Sequence, residues 1–141
     1  MAEAVLLDTS ACLALLENEA GADIVEGHLL DARAGLLEVH ASFATLTEVE
    51  YITTQERNAT DAANALSKMK AWPVHWHHSD ETLCSEAAKL KAAHKISFAD
   101  SFVAATAKRL DATLVHKDPE FDVLRGVLKL HPLPLKTPEA S

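Results

Sequence analysis

The sequence predicts an α/β protein, a three-layer α/β/α sandwich with a central parallel sheet. Three observations predict it. Short apolar runs of strand length alternate with longer segments whose apolar residues recur at helical spacing, the order of parallel strands joined by helical crossovers. The first run, Ala4-Val5-Leu6-Leu7, ends in Asp8, Thr9 and Ser10 before a helical pattern begins, so strand, turn and helix follow directly. The segment from Ser97 to Leu110 is apolar over most of its circumference through Phe98, Phe102, Val103, Ala104, Ala105 and Ala107, which marks a buried helix.

Between these landmarks the remaining elements follow in order. Thr9 or Ser10 caps a helix from about Ala11 to Glu17-Asn18. Ala20 to Arg33 places Ile24, Val25, His28, Leu29 and Ala32 on a helical face, and Gly35 closes it. Leu36 to His40 reads as a strand and Ala44 to Arg57 as a helix. Thr60 opens an amphipathic helix through Ala62, Ala63, Leu66 and Met69. Pro73 to Trp76 is a strand that starts at its proline, and Ser79 to His94 is a helix with Leu83, Ala87, Leu90 and Ala93 on one side. Thr113-Leu114-Val115 and Val127 to Leu130 are the last strands. Residues 1–131 are expected to form the folded domain, and residues 132–141, with Pro132, Pro134 and Pro138, a flexible tail.

Composition narrows the class. The 141 residues suit one domain with one core, and 48% hydrophobic with 24% charged residues is a globular balance. No apolar run approaches the ~18 residues of a membrane span, and the N-terminus lacks the basic segment and long apolar core of a secretion signal, so a cytoplasmic protein is expected. Cys12 and Cys84 lie in helical segments without metal-ligand spacing and read as reduced core thiols. A formal net charge of −8 argues against a protein that holds nucleic acid by a broad basic face. Clustered carboxylates, by contrast, bind divalent cations, which in turn attract phosphate.

The distribution of acids then matters. Asp8 ends the first strand, Glu48 lies in the helix after the second, Asp100 opens the most apolar helix, and Asp118 follows the strand Thr113-Leu114-Val115. Each has a plain structural explanation. Thr45 with Glu48, and Ser97 with Asp100, have capping-box spacing. Asp118 before Pro119 matches an N-cap followed by proline, and Asp8 suits the positive end of the next helix. In a parallel sheet, however, strand ends and the helix N-termini that follow them share one edge, where ligands bind. Carboxylates gathered there repel one another unless a cation is present, and three or four oxygen donors with room for water suit Mg²⁺ or Mn²⁺ and a phosphate substrate. The chemistry implied is metal-assisted hydrolysis of a nucleic-acid backbone.

At Leu6-Leu7-Asp8-Thr9-Ser10, Thr45-Leu46-Thr47-Glu48-Val49-Glu50-Tyr51, Phe98-Ala99-Asp100-Ser101-Phe102-Val103-Ala104-Ala105-Thr106 and Leu114-Val115-His116-Lys117-Asp118-Pro119-Glu120-Phe121 the chain resembles the four acidic motifs of PIN domains. Their order and spacing are most similar to VapC-type toxins, the ribonuclease half of toxin–antitoxin pairs. The resemblance implies an Mg²⁺- or Mn²⁺-dependent endoribonuclease with Asp8, Glu48, Asp100 and Asp118 as catalytic acids and Asp8, Asp100 and Asp118 as metal ligands. It also implies a homodimer and inhibition by a cognate antitoxin whose peptide occupies the site.

Thr9, Ser97, His116, Lys117 and Lys95 are the supporting or RNA-contacting candidates. Where the family commonly has Thr or Ser followed by Asn, this chain has His116-Lys117. His116 replaces a small hydroxyl beside the metal and introduces a pH dependence. Lys117 contacts a phosphate or partly neutralises Asp118. Glu48 is preferred to Glu50 on motif alignment. The basic run Lys89, Lys91, His94 and Lys95 is a solvated helix face or a guide for RNA. In His75-Trp76-His77-His78, His75 and His77 share a strand face but lack a Cys or acid at zinc spacing, so the segment reads as a surface or partly buried edge, and Trp72 and Trp76 as core. Two other readings stay open. One is a PIN-like binding module with weak or no activity. The other is a phosphoaspartate receiver or phosphatase, against which stand Ser10 two residues after Asp8 and the absence of an acidic pair at Leu7-Asp8.

Overall fold

The computed structural model describes residues 3–135. The chain runs β1 (Glu3–Leu7), α1 (Thr9–Leu16), α2 (Ala22–Arg33), β2 (Leu37–Ser42), α3 (Phe43–Glu56), α4 (Ala59–Ala71), β3 (Val74–His77), α5 (Glu81–Ala93), α6 (Phe98–Leu110), β4 (Thr113–His116), a 3-10 helix (Pro119–Leu124) and β5 (Lys129–Pro132). The five strands form one sheet in the order β3-β2-β1-β4-β5, and every neighbouring pair is parallel. From β1 the chain moves outward through β2 to β3, then crosses back to β4 on the other flank of β1. The sense of winding reverses between β1 and β4, and in open α/β sheets such a reversal leaves a crevice at the carboxyl ends of the two strands.

Alternation along the strands makes the layers. Val5, Leu7, Val39 and Val115 point to one side, against Ala11 and Cys12 of α1, Val25 and Leu29 of α2, Val49 of α3 and Met69 of α4. Leu6 and Leu114 point to the other, against Leu83, Ala87 and Leu90 of α5, Phe102, Val103 and Ala107 of α6, and Phe121 and Leu124 of the 3-10 helix. Each fully buried Leu or Phe contributes roughly 1.5–3 kcal/mol of transfer free energy. Helix α6 is buried on most sides, from Ser101 through Ala107, as its composition requires. Gly35 follows α2 at φ 79°, a left-handed conformation that closes the helix at little cost only for glycine.

Several boundaries differ from the sequence expectation. Asp8, rather than Thr9 or Ser10, caps α1, and Ser42 starts α3 earlier than the capping box at Thr45, so Thr45 lies buried inside the helix. The last strand is Lys129–Pro132, with Pro132 opposite His116, and Leu133 is 3% exposed in the core. The fold therefore continues past the expected boundary at 131/132, because β5 is an edge strand and tolerates a proline at its end. Residues 136–141 of the expected tail lie outside the described residues. Cys12 is a buried thiol as expected, but Cys84 is exposed because it falls on the outer face of α5. Among the described residues, no helix is long and apolar enough to cross a membrane.

Candidate active site

At the carboxyl ends of β1 and β4, the Asp8 N–H still donates to Val115 O at 3.1 Å, so Asp8 is the last rung of the ladder and also the first residue of the helix turn. Its carboxylate has nowhere to go but inward. Asp8 is 3% exposed; Oδ1 accepts the Ala11 N–H at 2.8 Å, and Ser10 Oγ donates to Oδ1 and Oδ2 at 2.7 and 2.8 Å. Burial pushes the Asp8 carboxyl up from 3.8 to about 7, repulsion from Asp118 and Glu48 adds to this, and the hydrogen bonds from Ala11 and Ser10 act against it. The same burial pushes the neighbouring Cys12 thiol up.

Ser10 also accepts the Lys117 N–H at 2.8 Å, tying the start of α1 to the turn that carries Asp118. Asp118 caps the 3-10 helix by accepting the Glu120 N–H at 2.9 Å, with Pro119 at its first position. That turn brings Glu120 back toward α6, where Glu120 Oε1 accepts the Ser97 N–H at 2.9 Å. Ser97 caps α6, accepting the Asp100 N–H at 3.1 Å. Carboxylate oxygens of Asp100, Asp118 and Glu120 consequently lie within 4.8 Å of one another. Burial pushes Asp100 up to about 8, helped by its hydrogen bond with Glu120 and by the charges of Asp118 and Glu120. Glu120 is held below the usual range because it takes the hydrogen bonds of Asp100 and of Ser97 N–H. Of the hydrogen-bonded pair, Asp100 is the carboxyl that favours a proton and Glu120 the one that favours its charge.

Glu48 reaches the same end of the sheet from α3. Thr9 Oγ1 donates to Glu48 Oε1 at 2.6 Å and lies 3.1 Å from Thr45 Oγ1, so two buried hydroxyls fix the orientation of the glutamate. Glu50 is exposed, away from Thr9. An apolar groove of about 400 Å³ leads up to Glu48 and Ser97, walled by Phe43, Tyr51, Phe98 and Phe102. Phe98 stands 70% exposed in it.

The remaining candidates are placed differently. His116 is buried under the acids; Nδ1 accepts the Asp118 N–H at 3.2 Å, the ring meets Phe121 edge to face at 5.2 Å, and Nε2 finds no partner among the described residues. Burial lowers its pKa, which keeps it neutral. Lys117 Nζ pairs with Glu19 Oε1 at 3.6 Å and, among the described residues, makes no ion pair with Asp118. Lys95 is exposed before α6, and Lys91 Nζ donates to Ile96 O at 2.8 Å close to Glu120. Sequence reasoning missed two contributors, Ser10 and Glu120. The signal for Glu120 was an acid two residues beyond an Asp-Pro N-cap, where a tight turn returns both carboxylates to one side.

The sequence matches the PIN domain family over residues 5–127. No curated protein matches it by sequence. Solved structures match in fold. VapBC2 from Rickettsia felis bound to a DNA fragment from its promoter is 18% identical with a TM-score of 0.73, covering 93% of this chain and 99% of that one. DNA-bound VapBC from Salmonella typhimurium is 16% identical with a TM-score of 0.72, covering 94% and 98%. VapC20 from Mycobacterium tuberculosis, a sarcin-ricin loop cleaving toxin, is 16% identical with a TM-score of 0.69, covering 92% and 99%.

Proposed function

The chain belongs to the PIN domain family, and on that premise we propose that it is a metal-dependent endoribonuclease, the toxin of a VapC-type toxin–antitoxin pair. The convergence of Asp100, Asp118 and Glu120 oxygens within 4.8 Å carries the reading. These donors fit a hard divalent cation: they are all carboxylate oxygens, and burial with the neighbouring charges of Asp118 and Glu120 raises the Asp100 carboxyl, as expected where negative charge exceeds what the chain itself neutralises. Asp8, Asp100 and Asp118 would hold Mg²⁺ or Mn²⁺, with Glu120 as a further donor. When bound, the cation supplies charge for the phosphate and acidifies water.

The chain's residues do the rest. Ser10 and the Ala11 N–H fix the orientation of the Asp8 carboxylate at the end of β1. Thr9 occupies Oε1 of Glu48, leaving Oε2 to accept the proton of the water that attacks phosphorus as the P–O bond to the leaving ribose oxygen breaks. Lys91, whose charge acts on Glu120, and Lys95, exposed just before α6, favour approach of the RNA backbone. The apolar groove at Phe98 and Tyr51 is the surface for the antitoxin peptide, in keeping with structural neighbours solved as VapBC complexes. A homodimer and a cytoplasmic location complete the proposal.

The test is cleavage of structured RNAs by antitoxin-free protein with Mg²⁺ or Mn²⁺, alongside Asp8→Asn and Asp100→Asn. Metal-dependent cleavage that disappears in both variants is the expected result. RNA binding without cleavage by the parent overturns it in favour of a binding module, and phosphate incorporation at Asp8 in favour of a phosphoaspartate protein.

A further inference from the structure

The apolar groove beside the acids is built from two helical stripes. Phe43, Thr47 and Tyr51 recur four residues apart on α3, Phe98 and Phe102 lie four apart on α6, and the two rows wall a space of about 400 Å³. Phe102 is buried and meets Phe43 and Phe98 edge to face, with ring centroids 5.3 and 5.2 Å away. It anchors the groove, while Phe98 and Tyr51 stand 70% and 47% exposed. Large apolar side chains left in water on one continuous patch mark a binding surface. Glu48 and Ser97 belong to the same walls, so whatever lies in the groove lies next to the acids at the carboxyl edge of the sheet. Among the described residues, its walls carry no Lys or Arg.

We infer that this groove receives an unpaired nucleobase of the RNA substrate, stacked on the Phe98 ring; the inference rests on the ribonuclease reading of the neighbouring acids. A phosphate finds no cation on these walls and meets Glu48 instead, whereas a base is uncharged and presents a π-face to the rings. Aromatic side chains hold splayed bases with little regard to sequence, and this gives a chain of net charge −8 a grip on RNA that broad neutralisation of phosphates does not supply. A duplex keeps its bases stacked inside, so the groove selects single-stranded or looped RNA. Phe98 directly follows Ser97, the cap of α6, and precedes Asp100 by two residues, so a base held there delivers the adjoining phosphodiester to the carboxylates. The antitoxin peptide placed in the same groove then inhibits by excluding the base.

Short single-stranded oligoribonucleotides carrying 2-aminopurine at one position, mixed with the antitoxin-free full chain in Mg²⁺ by stopped flow, report stacking as fluorescence quenching ahead of cleavage. Quenching is expected at one position of the series, and an abasic residue placed there is expected to weaken binding to the parent by about 10-fold or more, a readout that needs no variant. Phe98→Ala is expected to lose the quenching and a similar factor in affinity, and Phe98→Trp to keep both. Phe98→Leu, which retains apolar bulk without a π-face, is expected to behave as the alanine variant does. Quenching and affinity unchanged in Phe98→Ala, full binding by Phe98→Leu, or equal binding of every abasic probe by the parent overturns the nucleobase site and leaves the groove to the peptide alone. The ribonuclease reading fails separately, when Mg²⁺-dependent cleavage is absent while base-dependent quenching persists.

Discussion

Ser10 Oγ accepts the backbone N–H of Lys117 at 2.8 Å while donating its proton to Asp8. One hydroxyl thereby fixes the carboxylate at the end of β1 and the start of the turn that delivers Asp118 and Glu120 after β4. Ser10→Ala leaves the Lys117 N–H without its partner, at a cost of about 1–3 kcal/mol, and frees the Asp8 carboxylate to rotate. Calorimetric Mg²⁺ titration is expected to show affinity falling about 10- to 100-fold, by analogy with other residues that orient a ligand. Unchanged affinity together with a lowered melting temperature would confine Ser10 to a structural role.

Much of this was legible in the sequence. The alternation of strands and helices, the burial of α6 and the strand-end position of Asp8 follow from periodicity alone. Caps were less legible, since Asp8, Thr9 and Ser10 are all good N-cap residues. What decides among them is tertiary: the Asp8 N–H still belongs to the ladder with Val115, so the helix begins one residue on. Ser42 displaces Thr45 as the cap of α3 because β2 ends there, which leaves Thr45 free to support Thr9 and Glu48. Glu120 was hidden because its approach to Ser97 joins residues 23 apart.

The raised carboxyls of Asp8 and Asp100 set a pH dependence. Above 3.8 the unfolded chain ionises these groups while the native protein keeps them protonated up to about 7 and about 8 respectively. The unfolded state then binds fewer protons, so stability falls as pH rises between about 4 and 8. Metal-free protein is expected to melt at progressively lower temperature across that window. Mg²⁺ is expected to reverse the trend at its upper end and, on binding near pH 7, to release protons, measurable as a buffer-dependent heat. Asp100→Asn flattens the slope; a slope unaltered by that change would assign it to other groups.

Glu120 holds Ser97 N–H and is hydrogen-bonded to Asp100, so Glu120→Gln separates charge from shape. The amide oxygen still accepts from Ser97 N–H, and the exposed position makes a stability change above ~0.5 kcal/mol unexpected. Mg²⁺ affinity is expected to fall, and the Asp100 pKa to move down toward the ordinary range as the neighbouring charge disappears. Carboxyl titration followed by NMR reads the second effect directly. An Asp100 pKa that stays at about 8 would assign its elevation to burial and Asp118.

Lys117 replaces the small polar residue of the family pattern, and its destination decides what the replacement does. Its side chain is 12% exposed and its ammonium faces Glu19, whose own side chain is 51% exposed. The positive charge is thus turned toward Glu19 in the loop after α1. Lys117→Ala is expected to lose an ion pair of about 0–1 kcal/mol together with the packing of its largely buried stem. Because the backbone N–H that Ser10 needs survives the substitution, Mg²⁺ affinity and the KM for RNA are expected to change less than ~3-fold. A large rise in KM at unchanged kcat would show instead that Lys117 leaves Glu19 to meet a phosphate, and the effect would then shrink as salt increases.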